Sequence, residues 1–477
     1  MNRNSLSYDF LWLGIALFPL LIVILLLPLQ PHDYWWYLRL GRDILEAGAV
    51  PVVDTYSSLQ AGQPIVYQSW LSAIFLWAIF KAGGISLTIF FAAVCIGLTY
   101  AMLWTLMRRG GSGPRLASFL ILLAGLSGSN NWGVRPQLFV YPLFLAVVWI
   151  LLKWQDHDYK FLWALVLISF AWTNLHGSFI LFFILIALAF IFGKGERKKL
   201  FFVALAALAV TLANPRGIIL WQSVIETFTK PGIRDLSPEW LPPLNQGWQM
   251  NIFFAWMILL VPLASFARRR LSTFELILFL SFSWLALTGI RYVIWDLFII
   301  SMLTAFLIPE SMMNWFDQPQ NVKIPSLNFG LGAAFLLMPF LLLPGIRENW
   351  WSQSPPALDN QTPAAAADWL MAHPELPDPM WNDVIFGSYL IHAIPARPVW
   401  IDTRIQVIFT AEQAEQYLFV QSAQLGWEIF LEKSKVNLLV LAHTQPALVN
   451  AAQNSNTWCR QYDDDIAVIF SRCEPKQ

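Results

Sequence analysis

The chain has 477 residues, of which 57% are hydrophobic and 13% charged, and its mean hydropathy is +0.54. A soluble domain of this length would aggregate at that composition, so the sequence reads as an integral membrane protein. Its 30 acids balance its 30 bases, which excludes the broad basic surface of a nucleic-acid binder and leaves the position of each charge as the informative quantity.

In chain order, the apolar run 10–29 is too long for a signal-peptide core and lacks a small-residue cleavage site, so it is expected to be a retained anchor and first span. Further membrane-length windows fall near 86–107, 115–130, 136–152, 161–175, 177–193, 199–213, 250–267, 272–289, 291–308 and 326–345, giving about eleven transmembrane helices. The run from Trp70 to Phe80 is too short to cross and is assigned to an interfacial or re-entrant helix. With the N-terminus in the cytoplasm, Arg108/Arg109/Arg115, Lys153/Lys160, Lys194/Arg197/Lys198/Lys199 and Arg268/Arg269/Arg270 all lie inside, as the positive-inside rule requires. The odd number of spans then places the tail outside. His157, between Asp156 and Asp158, falls in a solvated inner loop and is given no role.

The expected fold class is an α-helical polytopic membrane protein with a small C-terminal α/β extracytoplasmic domain. Residues 1–345 form the transmembrane domain, with a long first outer loop at 30–85 and another outer loop at 214–249, and residues 346–477 form the soluble domain. Within the first loop, Trp36, Tyr37, Leu40, Ile44 and Leu45 recur at helical spacing and Gly48 follows, which predicts an amphipathic helix lying in the membrane interface. In the tail, Thr410-Ala411-Glu412-Gln413 is a capping box, Val436–Ala442 reads as a buried strand, and a hairpin follows over Thr457–Tyr462 and Ile466–Arg472. Cys459 and Cys473 flank that hairpin. With the register open, two free thiols are expected, a bond being the alternative if the tail is extracytoplasmic.

The chemistry-bearing residues collect on the outer side. Asp33, in Pro31-His32-Asp33-Tyr34-Trp35-Trp36 at the mouth of the first span, can take a proton from an acceptor hydroxyl or amine, and equally can cap the helix that follows. Asp54 is a second acid, a metal ligand or an Asx turn. Arg135 and Arg291 sit at outer helix ends where arginine is disfavoured, so they either bind a lipid-linked phosphate or snorkel to ordinary headgroups. His176, beside Gly177, binds phosphate or metal or forms a hydrogen-bonded turn, and Glu239 is by default an exposed loop acid. His32, Arg216, Asp402 and Arg404 complete the polar set assigned to phosphate or sugar. No His, Cys or carboxylate pair has a metal spacing, though a divalent metal stays open. No phosphate-binding glycine loop, nucleophile elbow or zinc-protease helix occurs, so no nucleotide is expected.

The stretch from His32 to Ser57, followed by RPQLFVY, TNLHGSF, ANPRG and SPEW, resembles the polytopic glycosyltransferases of the type C superfamily, in an uncharacterised bacterial branch. In the tail, Trp381-Asn382-Asp383, Gly387-Ser388-Tyr389-Leu390 and the segment from Ala396 to Arg404 resemble the outer domain of oligosaccharyltransferase subunits. The resemblance implies a sugar donor linked to a polyprenyl phosphate, a lipid, glycan or protein acceptor outside a bacterial cytoplasmic membrane, and a catalytic or metal-binding acid at Asp33. The function expected is inverting sugar transfer with Asp33 as general base. The rivals are a lipid or glycan transporter or flippase, for which charges at mid-membrane depth and inverted repeats are the usual signs, and a non-catalytic scaffold of envelope assembly.

Overall fold

The computed structural model describes residues 3–229, 238–267, 269–308 and 324–473. Arg268 and residues 230–237 of the 214–249 outer loop therefore lie outside the described residues. Each of the eleven apolar windows is occupied by a helix. Among the described residues, six helices are long and apolar enough to cross a membrane: Ser5–Leu26, Trp70–Arg109, Gln137–Gln155, Gly247–Phe266, Ile290–Leu307 and Pro325–Leu342. The windows between them carry the shorter apolar helices Pro114–Gly128, Ala164–Leu175, Gly177–Phe192, Arg197–Val210 and Thr273–Thr288. The protein is a multi-pass membrane protein.

Helix α1 (Arg3–Leu26) is the first span, α2 (Tyr34–Ala47) opens the first outer loop, and α3 (Trp70–Arg109) follows it. Helix α3 is broken at Gly83 and Gly84, where Gly84 takes φ +60, a backbone state costly for residues with a Cβ. The run Trp70–Phe80 thus belongs to a separate helical segment that ends at this kink.

Two compact units result. One comprises Met1–Leu27, Ala82–Gly217 and Glu239–Pro355; the other comprises Pro28–Lys81, Ile218–Pro238 and Pro356–Gln477. In the first unit, α1 crosses the helix Pro325–Leu337 backbone to backbone: a Cβ on Gly14 would stand 2.7 Å from the Gly332 carbonyl oxygen. Small residues permit such approach where no water-driven burial holds helices together. The interior is aromatic, with Phe144 5.0 Å from Trp295 and Trp172 stacked on Trp295 at 6.1 Å.

The second unit joins the first outer loop to the tail around a four-stranded sheet, order β1-β2-β4-β3, with β1 (Met380–Asn382) parallel to β2 (Leu438–Ala442) and β4 (Ala467–Arg472) antiparallel to both β2 and β3 (Trp458–Asp463). Strand β2 is buried on both faces, which explains its continuous apolar run. Leu438 and Val440 join a core with Trp36, Leu40, Ile44, Phe386 and Leu390, and Leu439 and Leu441 join one with Tyr417, Leu431 and Leu448. Trp36, Leu40 and Ile44 of the apolar stripe of α2 are therefore covered by protein, while Leu45 stays exposed. Loop and tail are also stitched by main-chain hydrogen bonds, Val399 N–H to Tyr56 O at 3.0 Å and Leu29 N–H to Ala357 O at 2.9 Å. The capping box at Thr410 forms as expected.

The cysteines differ from expectation. Cys459 and Cys473 are disulfide-bonded, not free, with Cα atoms 5.0 Å apart. The β3–β4 register pairs Cys459 with Ser471, and Cys473 N–H donates to Thr457 O at 2.9 Å, which brings the two side chains together. Cys95 is a buried free thiol.

Candidate active site

Asp33 occupies the N-cap position of α2, but its side chain makes no capping hydrogen bond. Its backbone is already helical (φ −50, ψ −33), whereas a capping residue ordinarily holds an extended conformation that aims its side chain at the free N–H groups. The half-buried carboxylate is instead engaged sideways. Oδ1 accepts from the Trp36 indole N–H at 3.3 Å and from the Thr403 hydroxyl, and Thr403 Oγ1 lies 2.6 Å from Ser388 Oγ. His32, also half-buried, precedes it. Two hydroxyls that the sequence alone assigned no role of their own, Ser388 and Thr403, thus stand behind the acid.

Asp54, Asp402 and Arg404 come together inside the same unit, 1%, 0% and 3% exposed. Arg404 Nη2 donates to Asp402 Oδ2 at 2.7 Å, Nε donates to Asp402 Oδ1 at 2.8 Å, and Nη1 donates to Asp54 Oδ1. Burial opposes the charge on Arg404, yet Asp402, with Tyr67 and Asp54, holds its pKa well above the ordinary arginine value. Asp54 Oδ2 also takes the Ser57 N–H at 3.0 Å, the local turn bond foreseen for it. These three residues, expected on the substrate, are engaged with one another.

In the other unit, Glu239 bridges the two outer arginines. Its Oε2 lies 2.6 Å from Arg135 Nη1 and its Oε1 3.5 Å from Arg291 Nη1, while the Trp240 ring centroid sits 4.1 Å from the Arg291 guanidinium carbon. The default of an exposed loop acid is replaced by an ion-paired one, because the Pro238–Trp240 turn returns to the Gly289–Ile290 backbone, where Ile290 N–H donates to Leu241 O. All three charged side chains remain 18–31% exposed. His176 feels the same group: burial, then Arg291 and Arg135, push its pKa down to about 3. Its Nδ1 accepts the Ser178 N–H at 3.1 Å, so the ring is neutral with its proton on Nε2, and the turn foreseen beside Gly177 is present. Arg216 lies beyond the helix Arg197–Val210, its backbone N–H bonded to Asn214 Oδ1 at 2.8 Å.

Among the described residues, no three His, Cys, Asp or Glu side chains gather as a metal-binding group. Asp54 and Asp402 are committed to Arg404, so the donors around Asp33 do not fit a divalent ion.

No family model and no curated protein matches the sequence. Solved structures do match. AglB, the archaeal oligosaccharyltransferase of Archaeoglobus fulgidus in complex with an inhibitory peptide and a dolichol-phosphate, aligns with a TM-score of 0.61 at 13% identity, over 98% of this chain and 75% of that one. The chain shares the fold of that structure. A second structure of the Archaeoglobus oligosaccharyltransferase, tethered with an acceptor peptide containing the NVT sequon, gives 0.61 at 14% identity over 98% and 74%. The arabinofuranosyltransferase AftD from Mycobacteria gives 0.51 at 12% identity, over 98% of this chain and 40% of that one. The likeness in fold thus runs through both units of the chain.

Proposed function

We propose that this protein transfers a sugar from a polyprenyl-phosphate-linked donor to an acceptor on the extracytoplasmic face of a bacterial cytoplasmic membrane, with inversion at the anomeric carbon. The placement of Asp33 carries this reading: at the residue where the first membrane helix gives way to the outer loop, an acid makes no capping bond and is held by the Thr403 hydroxyl and the Trp36 indole. As general base, Asp33 takes the proton of the acceptor O–H or N–H while that oxygen or nitrogen attacks the sugar's anomeric carbon. The bond from that carbon to the phosphate oxygen breaks, and polyprenyl phosphate leaves with the electron pair.

Within the first unit, one carboxylate already spans Arg135 and Arg291, and the two oxygens of a carboxylate are spaced much like two oxygens of a phosphate, so this pair suits charge-assisted binding of a phosphate. The tail's disulfide supports an oxidising, extracytoplasmic location for the second unit. The likeness to an enzyme bound to a dolichol-phosphate supports the donor class.

The test is Asp33→Asn in the full-length protein reconstituted in nanodiscs, with a panel of polyprenyl-phosphate hexoses and pentoses as donors and envelope extract as acceptor. Turnover is expected to fall by about 10²–10⁴-fold at unchanged melting temperature. Undiminished turnover removes the base role, and movement of labelled lipid across the bilayer with no covalent product replaces transfer by transport.

A further inference from the structure

An aspartate at the N-cap ordinarily takes a backbone N–H of the first turn. Here the backbone is helical at Asp33 and Trp35 N–H donates to His32 O at 3.3 Å, while Oδ1 of the carboxylate takes two side-chain donors, the Thr403 hydroxyl from the tail and, on α2 itself, Trp36 Nε1 at 3.3 Å. Thr403 has a single hydroxyl proton, which it gives to Asp33, so at the 2.6 Å contact Ser388 Oγ is the donor and Thr403 Oγ1 the acceptor. The result is a directional chain, Ser388 to Thr403 to Asp33, in which each bond polarises the next.

The surrounding residues fix that chain in place. Thr403 lies between Asp402 and Arg404, whose buried ion pair, together with the Arg404 N–H bond to Asp402 Oδ1 at 2.9 Å, sets the backbone on either side of it. Ser388 is fully buried on the helix Val384–Ala393, and its neighbour Gly387 lets that helix pack directly on the 401–402 backbone: a Cβ there would stand 2.2 Å from Ile401 O and 2.8 Å from Asp402 Cα. The motifs Gly387-Ser388 and Asp402-Thr403-Arg404, which the proposed transfer step leaves without a role, thereby acquire one.

We infer that Thr403, backed by Ser388, is the positioning residue for Asp33, fixing its carboxylate in the orientation a general base needs. The inference rests on the base role proposed above. Removing the hydroxyl frees the carboxylate to rotate, which lowers catalysis more than stability; a residue that merely holds the fold would lower both together.

The experiment uses the full-length protein in nanodiscs with the same donor panel and compares Thr403→Val, Thr403→Ser and Ser388→Ala. Thr403→Val is expected to lower kcat by about ten- to a hundredfold, with KM within about twofold and the melting temperature within about 2 °C of wild type. Thr403→Ser is expected to restore kcat, and Ser388→Ala to give a smaller loss. Full activity in Thr403→Val, a loss that serine does not rescue, or a loss that tracks a fall in melting temperature overturns the inference. A second arm needs no turnover: carbodiimide coupling at Asp33, mapped by peptide mass spectrometry, is expected to change severalfold in Thr403→Val, and an unchanged rate overturns the contact. If Asp33→Asn stays active, the base role fails while the labelling arm still decides the contact. If Asp33→Asn is dead and Thr403→Val is fully active, the positioning role fails and the base role stands.

Discussion

Arg404→Met tests whether the Asp54–Arg404–Asp402 group holds the first outer loop to the tail. The guanidinium is 3% exposed, donates to both carboxylates and lies 5.2 Å from the Tyr56 ring and 5.8 Å from the Trp36 ring. Methionine fills much of its volume but leaves Asp54 and Asp402, at 1% and 0% exposure, as buried carboxylates with no cation. Breaking a buried pair from one side costs about 3–5 kcal/mol, because the remaining charge has no solvent to replace its partner. For a unit of about 200 residues, each kcal/mol corresponds to roughly 2–4 °C, so the transition of the second unit is expected to fall by about 6–20 °C. Tryptophan fluorescence during thermal unfolding in detergent reads it out. The triple variant Asp54→Asn, Asp402→Asn, Arg404→Met is expected to recover much of the loss, since no buried charge remains. A melting temperature for Arg404→Met within about 2 °C of wild type refutes the reasoning, and activity lost well beyond the unfolded fraction would return Arg404 to the substrate.

Two further outcomes follow from the geometry. His176 is held neutral with its pKa pushed down to about 3, below the unfolded value near 6.5, so protons bind the unfolded chain first as pH falls. Its contribution is complete above about pH 6.5 and is lost at about 1.4 kcal/mol per pH unit down to about pH 3. His176→Asn keeps an acceptor for the Ser178 N–H and is expected to gain about 2 kcal/mol on wild type between pH 7.5 and pH 5, read from denaturant unfolding; parallel pH curves count against it. Joint replacement of Cys459 and Cys473 by serine opens a 14-residue separation and is expected to destabilise the tail by up to about 3 kcal/mol. Mass spectrometry of the alkylated, unreduced protein is expected to find only Cys95 labelled after unfolding; three labelled thiols would contradict the bond.

Much of the architecture was legible because it is written locally. Eleven apolar windows became helices, since a backbone in lipid must satisfy its own hydrogen bonds and only a helix does so within one segment. The capping box at Thr410, the strand around Val440, the hairpin near Asp464 and the stop of α2 at Gly48 are likewise decided by residues a few positions apart. Periodicity also marked one face of α2 for burial, but an apolar stripe looks the same whether lipid or protein covers it.

The site was legible only as a list of residues. Sequence set Asp33 at a helix mouth, where base and cap were equal accounts; only tertiary structure gave it a helical backbone that makes no cap and brought in Thr403, 370 positions away, to bind the carboxylate. It likewise decided that Arg404 spends its charge on Asp54, 350 positions distant, and that Glu239 lies between Arg135 and Arg291. Local patterns fix which segments become helices and strands, because their hydrogen bonds close within a few residues. The partner of a buried charge is chosen by which segments the folded chain brings within reach, and no spacing along the sequence records that choice.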